Sequence, residues 1–187
     1  MRKIVCIGDS LTFGHQVRRA QSWPALLNSK IGAEVINKGI CGDTSGGLLG
    51  RFQPDVVGLR PTHVIIMAGV NDLMWQTPLG VVKANLSALV FQAMQYGIKP
   101  FLGVPIPVVA ALARKHWSFM PDWERINEEI NLLRQWIFDF STGFGCQYID
   151  FYQLFVDADG RPLPDFYLDG LHPTADGNQM MADFVKL

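Results

Sequence analysis

Residues 4–12 read IVCIGDSLT, four apolar residues followed at once by glycine and polar side chains. The apolar run Ile4–Ile7 is typical of a short strand buried on both faces, as in a parallel sheet covered by helices. The strand ends at Gly8, Asp9 and Ser10, and open α/β sheets bind ligands beyond the carboxyl ends of their strands. This stretch therefore predicts a buried first strand followed by a candidate functional loop.

Strand-like runs of the same kind return four more times, separated by helical patterns. These runs are Val35–Ile36, Val64–Met67, Phe101–Val104 and Tyr148–Ile149. Strands that alternate with helices form right-handed βαβ units and a parallel sheet. We therefore predict a single α/β domain over residues 1–187, with a five-stranded parallel sheet between two helical layers.

Helices are predicted from apolar spacing and from end signals. One begins near Ser22 and ends before Gly32, a short one begins near Asp43, and others follow Thr77-Pro78, Asp122 and Thr174. Apolar residues recur every three or four positions in two of these helices, which predicts one inward face for each. The inward residues are Val82, Leu86, Leu89 and Ala93 in one, and Trp123, Ile126, Ile130, Leu133 and Ile137 in the other.

The composition excludes several classes of protein. The chain has 187 residues, of which 49% are hydrophobic and 18% charged, with a net charge of −1. This is a globular composition without the basic surface that nucleic-acid binding requires, so no nucleic-acid partner is expected. Three cysteines without a CxxC pair predict neither a disulfide framework nor a metal site.

The compartment is predicted from two apolar stretches. The run Ile4–Ile7 behind Arg2-Lys3 is too short for the apolar core of a signal peptide. The uncharged stretch Pro100–Ala113 contains three prolines and is not expected to span a bilayer. We therefore expect a cytoplasmic protein without a stable membrane anchor.

Polar or glycine-rich segments follow the predicted strands and should meet on one rim of the sheet. Residues 8–12 follow the first strand, 37–45 the second and 69–72 the third, and 169–173 come beyond the fifth. Because the carboxyl ends of parallel strands share one edge, we expect these four segments to form one site.

The residue types in this predicted site suit acyl transfer. Ser10 is the candidate nucleophile, His172 the base that activates it and Asp169 the group that orients the imidazole. The developing oxyanion needs donors, for which the amides of Ser10 and Gly42 and the side chain of Asn71 are candidates.

Other residues compete for these roles. His15 is the rival base, Cys41 the rival nucleophile, and Asp165 and Asp176 rivals of Asp169. Two further carboxylates, Asp9 and Asp72, lie beside candidate catalytic positions and are interpreted as structural hydrogen-bonding groups. His63 begins the third strand and is expected at the opposite rim.

Four ordered segments together resemble the SGNH (GDSL) hydrolase family. They are Gly8-Asp9-Ser10-Leu11, Gly42-Asp43-Thr44-Ser45, Gly69-Val70-Asn71-Asp72 and Asp169-Gly170-Leu171-His172. The sequences Trp-Pro-Ala-Leu-Leu at 23–27 and Gly-Asp-Thr-Ser at 42–45 look most like the small bacterial thioesterase/lysophospholipase and arylesterase branch. The resemblance implies a flavodoxin-like strand order 2-1-3-4-5, a triad of Ser10, His172 and Asp169 without a metal or other cofactor, and an oxyanion hole of Ser10, Gly42 and Asn71.

The segment after the fourth strand is the candidate wall of the substrate pocket. Residues 105–121 look longer than in compact members of the family, and they are either a pocket wall or a docked surface loop. The predicted substrate-binding residues are Trp75, Ile106, Val108, Trp117 and Phe119. Exposed apolar side chains in this segment would also suit a contact in a homo-oligomer.

The function expected from residues and resemblance is hydrolysis of a small carboxylic ester or thioester through an acyl-enzyme. An alternative within the family is an esterase that removes O-acetyl groups from carbohydrates. From another class, a flavodoxin-like module would bind FMN or a nucleotide, but the carboxylate of Asp9 in the first loop would repel phosphate. The last alternative is an inactive scaffold, which the complete set of motif residues disfavours.

Overall fold

The sheet has five parallel strands. In the computed structural model, which describes residues 2–118 and 122–187, the strands run in the order β2-β1-β3-β4-β5. This order and the α/β architecture confirm the prediction. The strands are β1 (Lys3–Gly8), β2 (Glu34–Gly39), β3 (His63–Met67), β4 (Lys99–Val104) and β5 (Gln147–Asp150). Gly8 pairs with Gly39 on one side and Met67 on the other, so three strands end level at one rim.

Eight α-helices connect or follow the strands among the described residues. They are α1 (Ser10–Phe13), α2 (Trp23–Lys30), α3 (Ser45–Asp55), α4 (Val70–Met74), α5 (Leu79–Gln95), α6 (Ala110–His116), α7 (Trp123–Phe144) and α8 (Ala175–Phe184). The five predicted helices are α2, α3, α5, α7 and α8. The other three were not predicted, because helices of four, five and seven residues are too short to show a 3.6-residue period.

The predicted inward faces of α5 and α7 are confirmed. All nine of their predicted inward side chains are at most 1% exposed. Burial on both faces holds for the central strands, in which Ile4–Ile7 are fully buried. It is wrong for the edge strands, since Val35 and Ile36 are half-buried and Tyr148 is 45% exposed. The helical layers cover the middle of an open sheet more completely than its edges.

Within the described part of the chain, no helix has the length and apolar character needed to cross a bilayer.

Candidate active site

Ser10 stands at the first position of α1, directly beyond β1. Asp9 is the N-cap of this helix, and its Oδ1 accepts a hydrogen bond of 2.9 Å from the amide of Leu11. Asp9 is therefore a structural hydrogen-bonding group, as predicted. It is only 1% exposed, and burial raises its pKa to about 7 although the Leu11 amide acts to lower it. The turn that Asp9 stabilises presents Ser10 at the rim of the sheet.

Asp169 and His172 lie in one tight loop between β5 and α8. Asp169 Oδ1 accepts hydrogen bonds from the amides of Leu171 and His172, at 3.0 and 2.8 Å. Asp169 Oδ2 lies 2.7 Å from Nδ1 of the His172 ring. Burial alone would raise the pKa of Asp169, but the hydrogen bonds from the ring and amide of His172 hold it well below its usual range. The rival carboxylates Asp165 and Asp176 are exposed.

The hydroxyl of Ser10 joins this pair. Ser10 Oγ lies 3.0 Å from His172 Nε2, across 162 residues of sequence. With the imidazole proton on Nδ1, the ring donates to Asp169 and accepts from the serine hydroxyl. All three residues are at least 92% buried, so water competes little for these hydrogen bonds. This serine–imidazole–carboxylate chain has the geometry that activates a hydroxyl as a nucleophile.

The two other predicted donors lie on neighbouring loops. Gly42 follows β2 with φ of +80°, a conformation that favours glycine. Asn71, in α4, donates one N–H from its side chain to the carbonyl of Asp43 over 2.8 Å. The amide has a second N–H that remains for a ligand. Gly42 and Asn71 line the same cavity as Ser10, so the structure brings the candidate oxyanion donors together.

The cavity beside Ser10 and His172 has a volume of about 280 Å³ and is mainly apolar. Trp75 lies at its edge and is 66% exposed, and the ring of Trp117 is 5.9 Å from that of His172. The side chains and backbone that line it belong to Ser10, His15, Cys41, Gly42, Asn71, Met74, Trp75, Trp117, Leu171 and His172. A larger groove of about 450 Å³ beside α2 contains none of the predicted triad residues.

Two predicted pocket residues lie elsewhere. Ile106 and Val108 are 1% and 0% exposed, and the structure places them in the hydrophobic core rather than along the cavity. The reason is that the chain after β4 continues inward before it turns into α6. Phe119, the fifth predicted pocket residue, lies outside the described residues.

The segment after β4 is packed against the His172 loop. The amide of Val109 donates to the carbonyl of Gly170 over 2.8 Å, and the hydroxyl of Tyr167 donates to the carbonyl of Pro107 over 2.6 Å. Part of the segment is helical, as α6, where no helix was predicted. The segment thus supports the candidate site by direct backbone contact.

The rival base and nucleophile also lie at the cavity. The ring centroids of His15 and His172 are 4.5 Å apart, and Cys41 Sγ lies 3.6 Å from His15 Nδ1. Burial, together with the neighbouring His172, lowers the pKa of His15. Burial and the nearby Asp9 raise the pKa of Cys41, which disfavours the thiolate that a cysteine nucleophile needs.

The structure adds residues that sequence reasoning missed. Gln16 Nε2 donates to Asp169 Oδ2 over 2.9 Å, from a backbone with φ of +63°. Met74 and Leu171 line the cavity. Asp72 accepts from the amide and hydroxyl of Ser45, which confirms its predicted structural role. No sequence signal pairs Gln16 with a residue 153 positions away, whereas Leu171 lies inside a recognised motif.

Comparison with known proteins decides the family. The model of the GDSL-like lipase/acylhydrolase family matches residues 6–180. The chain belongs to this family. A solved structure assigned to the lipolytic proteins of the G-D-S-L family, from Desulfitobacterium hafniense DCB-2, is 29% identical and has a TM-score of 0.85. The match covers 98% of this chain and 97% of that one.

Curated relatives agree with this assignment. The arylesterase of Vibrio mimicus is 36% identical over 93 residues, which cover 47% of this chain and 46% of the relative. The thioesterase 1/protease 1/lysophospholipase L1 of Escherichia coli K12 is 24% identical over 185 residues, which cover 97% of this chain and 80% of the relative. Membership of the GDSL family supports a hydrolytic activity of the esterase or lipase type.

Proposed function

We propose that this GDSL-family chain is a serine hydrolase that cleaves small carboxylic esters or thioesters through an acyl-enzyme. The observation that carries the proposal is the hydrogen-bonded chain from Ser10 Oγ through His172 to Asp169, with distances of 3.0 and 2.7 Å. A buried serine with such a base beside it is suited to attack a carbonyl carbon.

The reaction has two half-reactions. Ser10 Oγ attacks the carbonyl while His172 Nε2 takes its proton, and the low pKa of Asp169 keeps a negative charge beside the imidazolium. The amides of Ser10 and Gly42 and the side chain of Asn71 stabilise the oxyanion. His172 then protonates the leaving alcohol or thiol, activates a water molecule and lets it release the acid from Ser10.

The size of the cavity favours short substrates. Its volume of about 280 Å³ lies at the lower end of the roughly 300–1,000 Å³ typical of pockets for drug-sized ligands. Trp75, Trp117 and Met74 offer apolar contacts to an acyl or aryl group. We therefore expect acetyl to hexanoyl esters to be hydrolysed faster than palmitoyl esters.

The predicted cytoplasmic location stays a prediction.

The experiment is hydrolysis of p-nitrophenyl esters from acetyl to palmitoyl by the wild type, Ser10→Ala and Ser29→Ala. Ser29 is an exposed serine of α2 and serves as the matched control. Ser10→Ala should lower kcat by at least about 10³-fold, because it removes the nucleophile, and Ser29→Ala should leave it unchanged.

Activity that survives in Ser10→Ala would contradict the serine mechanism and make Cys41→Ala the next variant. Wild-type protein that is inactive on all these esters but active on acetylated sugars would replace the proposal with a carbohydrate O-acetyl esterase. If palmitoyl esters were hydrolysed fastest, only the argument from cavity size would be contradicted.

A further inference from the structure

Arg51 of α3 makes an unusual set of contacts behind the candidate oxyanion hole. Its Nε donates to Asp43 Oδ2 over 2.7 Å, and its Nη2 donates to the carbonyl of Gly8 over 3.0 Å. Its Nη1 donates to the carbonyl of Lys38 and to Asp55 Oδ2, both over 2.9 Å. The Arg51 side chain is only 15% exposed, so these hydrogen bonds are largely shielded from water. One guanidinium thus joins the ends of β1 and β2 to the loop before α3.

Two of these partners, Gly8 and Asp43, are close in the chain to a proposed oxyanion donor. Gly8 lies two residues before Ser10, and its carbonyl also accepts from the amide of Ile40 over 3.0 Å. Asp43 follows Gly42 directly, and the carbonyl of the same Asp43 accepts from Asn71. Movement of Asp43 would therefore disturb the amide of Gly42 and the side chain of Asn71 together.

We propose that Arg51 is a positioning residue of the oxyanion hole, an inference that rests on the proposed function. Its guanidinium holds the β1 and β2 loops so that the donors from Ser10, Gly42 and Asn71 converge on one point. The planar fork of arginine is needed for this, because it reaches two carboxylates and two carbonyls in different directions at once. A lysine would keep the charge but could not donate hydrogen bonds in most of these directions.

The first test compares Arg51→Met and Arg51→Lys with the wild type. Both variants should lower kcat by about 10²-fold, because misplaced donors lose transition-state stabilisation, while KM changes by less than about threefold. Arg134→Met is the matched control. Arg134 also binds a buried carboxylate, Asp150, with hydrogen bonds of 2.7 to 3.2 Å, but at the end of β5. Its loss should lower the thermal midpoint and leave kcat near the wild-type value.

A second readout does not depend on the choice of ester. A fluorophosphonate forms a bond from Ser10 Oγ to phosphorus and releases fluoride as the P–F bond breaks, with the serine proton passing to His172. Intact-mass spectrometry gives the rate of this single turnover, which also needs the oxyanion donors. The rate should fall about 10²-fold in both Arg51 variants and remain unchanged in Arg134→Met. Millimolar guanidinium should accelerate labelling of Arg51→Ala but not of Arg134→Ala.

Arg51→Met with wild-type kcat and labelling rate would overturn the proposal, as would full activity of Arg51→Lys. Equal losses in the Arg51 and Arg134 variants, without rescue by guanidinium, would reduce Arg51 to an ordinary stabilising ion pair. Wild-type protein that is labelled at Ser10 but hydrolyses no ester would contradict the proposed function, while the labelling ratio would still decide the role of Arg51. A wild-type chain that is not labelled at Ser10 would overturn both.

Discussion

Gly170 is the position at which a single methyl group should test the packing of the candidate site. It has φ of +87°, and a Cβ placed on it would lie 2.4 Å from the amide nitrogen of Ala113 and 2.7 Å from the carbonyl oxygen of Val109. Both atoms are backbone and cannot rotate away. Gly170→Ala therefore combines two costs, about 1–2 kcal/mol for a left-handed L-residue and about 1–3 kcal/mol for overpacking. We expect an unfolding free energy lower by roughly 2–5 kcal/mol.

Gly160→Ala isolates the first of these costs. Gly160 has φ of +78°, but a Cβ placed on it would have no neighbour within 4 Å. The gain from a stiffer unfolded chain is common to both variants and cancels in the comparison. The difference between them, about 1–3 kcal/mol, therefore measures the close approach of α6 to the His172 loop.

Urea unfolding of the wild type and both variants measures these free energies, and esterase kinetics measure the effect on the site. Gly170→Ala should also lower kcat, because relief of the clash displaces the loop that holds Asp169 and His172, and a displacement of about 1 Å costs about 10²-fold. Gly160→Ala should not. If Gly170→Ala were no less stable than Gly160→Ala, the inferred close packing of α6 on this loop would be wrong.

Two further predictions concern burial of charge and the edge of the cavity. The pKa of Asp9 is raised from about 3.8 in the unfolded chain to about 7 in the folded one, so the wild type loses stability as the pH rises through this range. Asp9→Asn removes this loss. Its unfolding free energy should exceed that of the wild type by up to about 4 kcal/mol at about pH 8.5, with no comparable gain at about pH 4. Urea unfolding at both pH values measures this, and an equal difference at the two would refute it. Trp75→Ala should raise KM for phenyl esters by about 2- to 10-fold with little change in kcat, since it removes an aromatic contact of about 0.5–1.5 kcal/mol. Trp136→Ala, a change in the aromatic cluster of α7, is its control, and an equal KM increase there would contradict a binding role for Trp75.

Much of the fold was predictable because its signals are local. The runs Ile4–Ile7 and Val64–Met67 lie in the central strands, and the stripes of α5 and α7 face the core. The prediction of burial on both faces failed where tertiary context decides, as at Tyr148, which belongs to an apolar run but lies in the edge strand β5. It also failed at α6, where seven residues carry too little periodicity to indicate a helix.

Local motifs are enough to identify which residues could carry the chemistry. The ordered motifs name Ser10, Gly42, Asn71, Asp169 and His172, and the parallel sheet brings their loops to one rim because its strands end level. The groups that support these residues became visible only in the folded chain. Gln16 donates to Asp169 from 153 residues away in the sequence. Arg51 hydrogen-bonds the ends of β1 and β2 and the loop before α3. Ile106 is buried in the core and does not line the cavity. These contacts depend on the path of the chain through space, and the spacing of residues along a helix or strand does not predict that path.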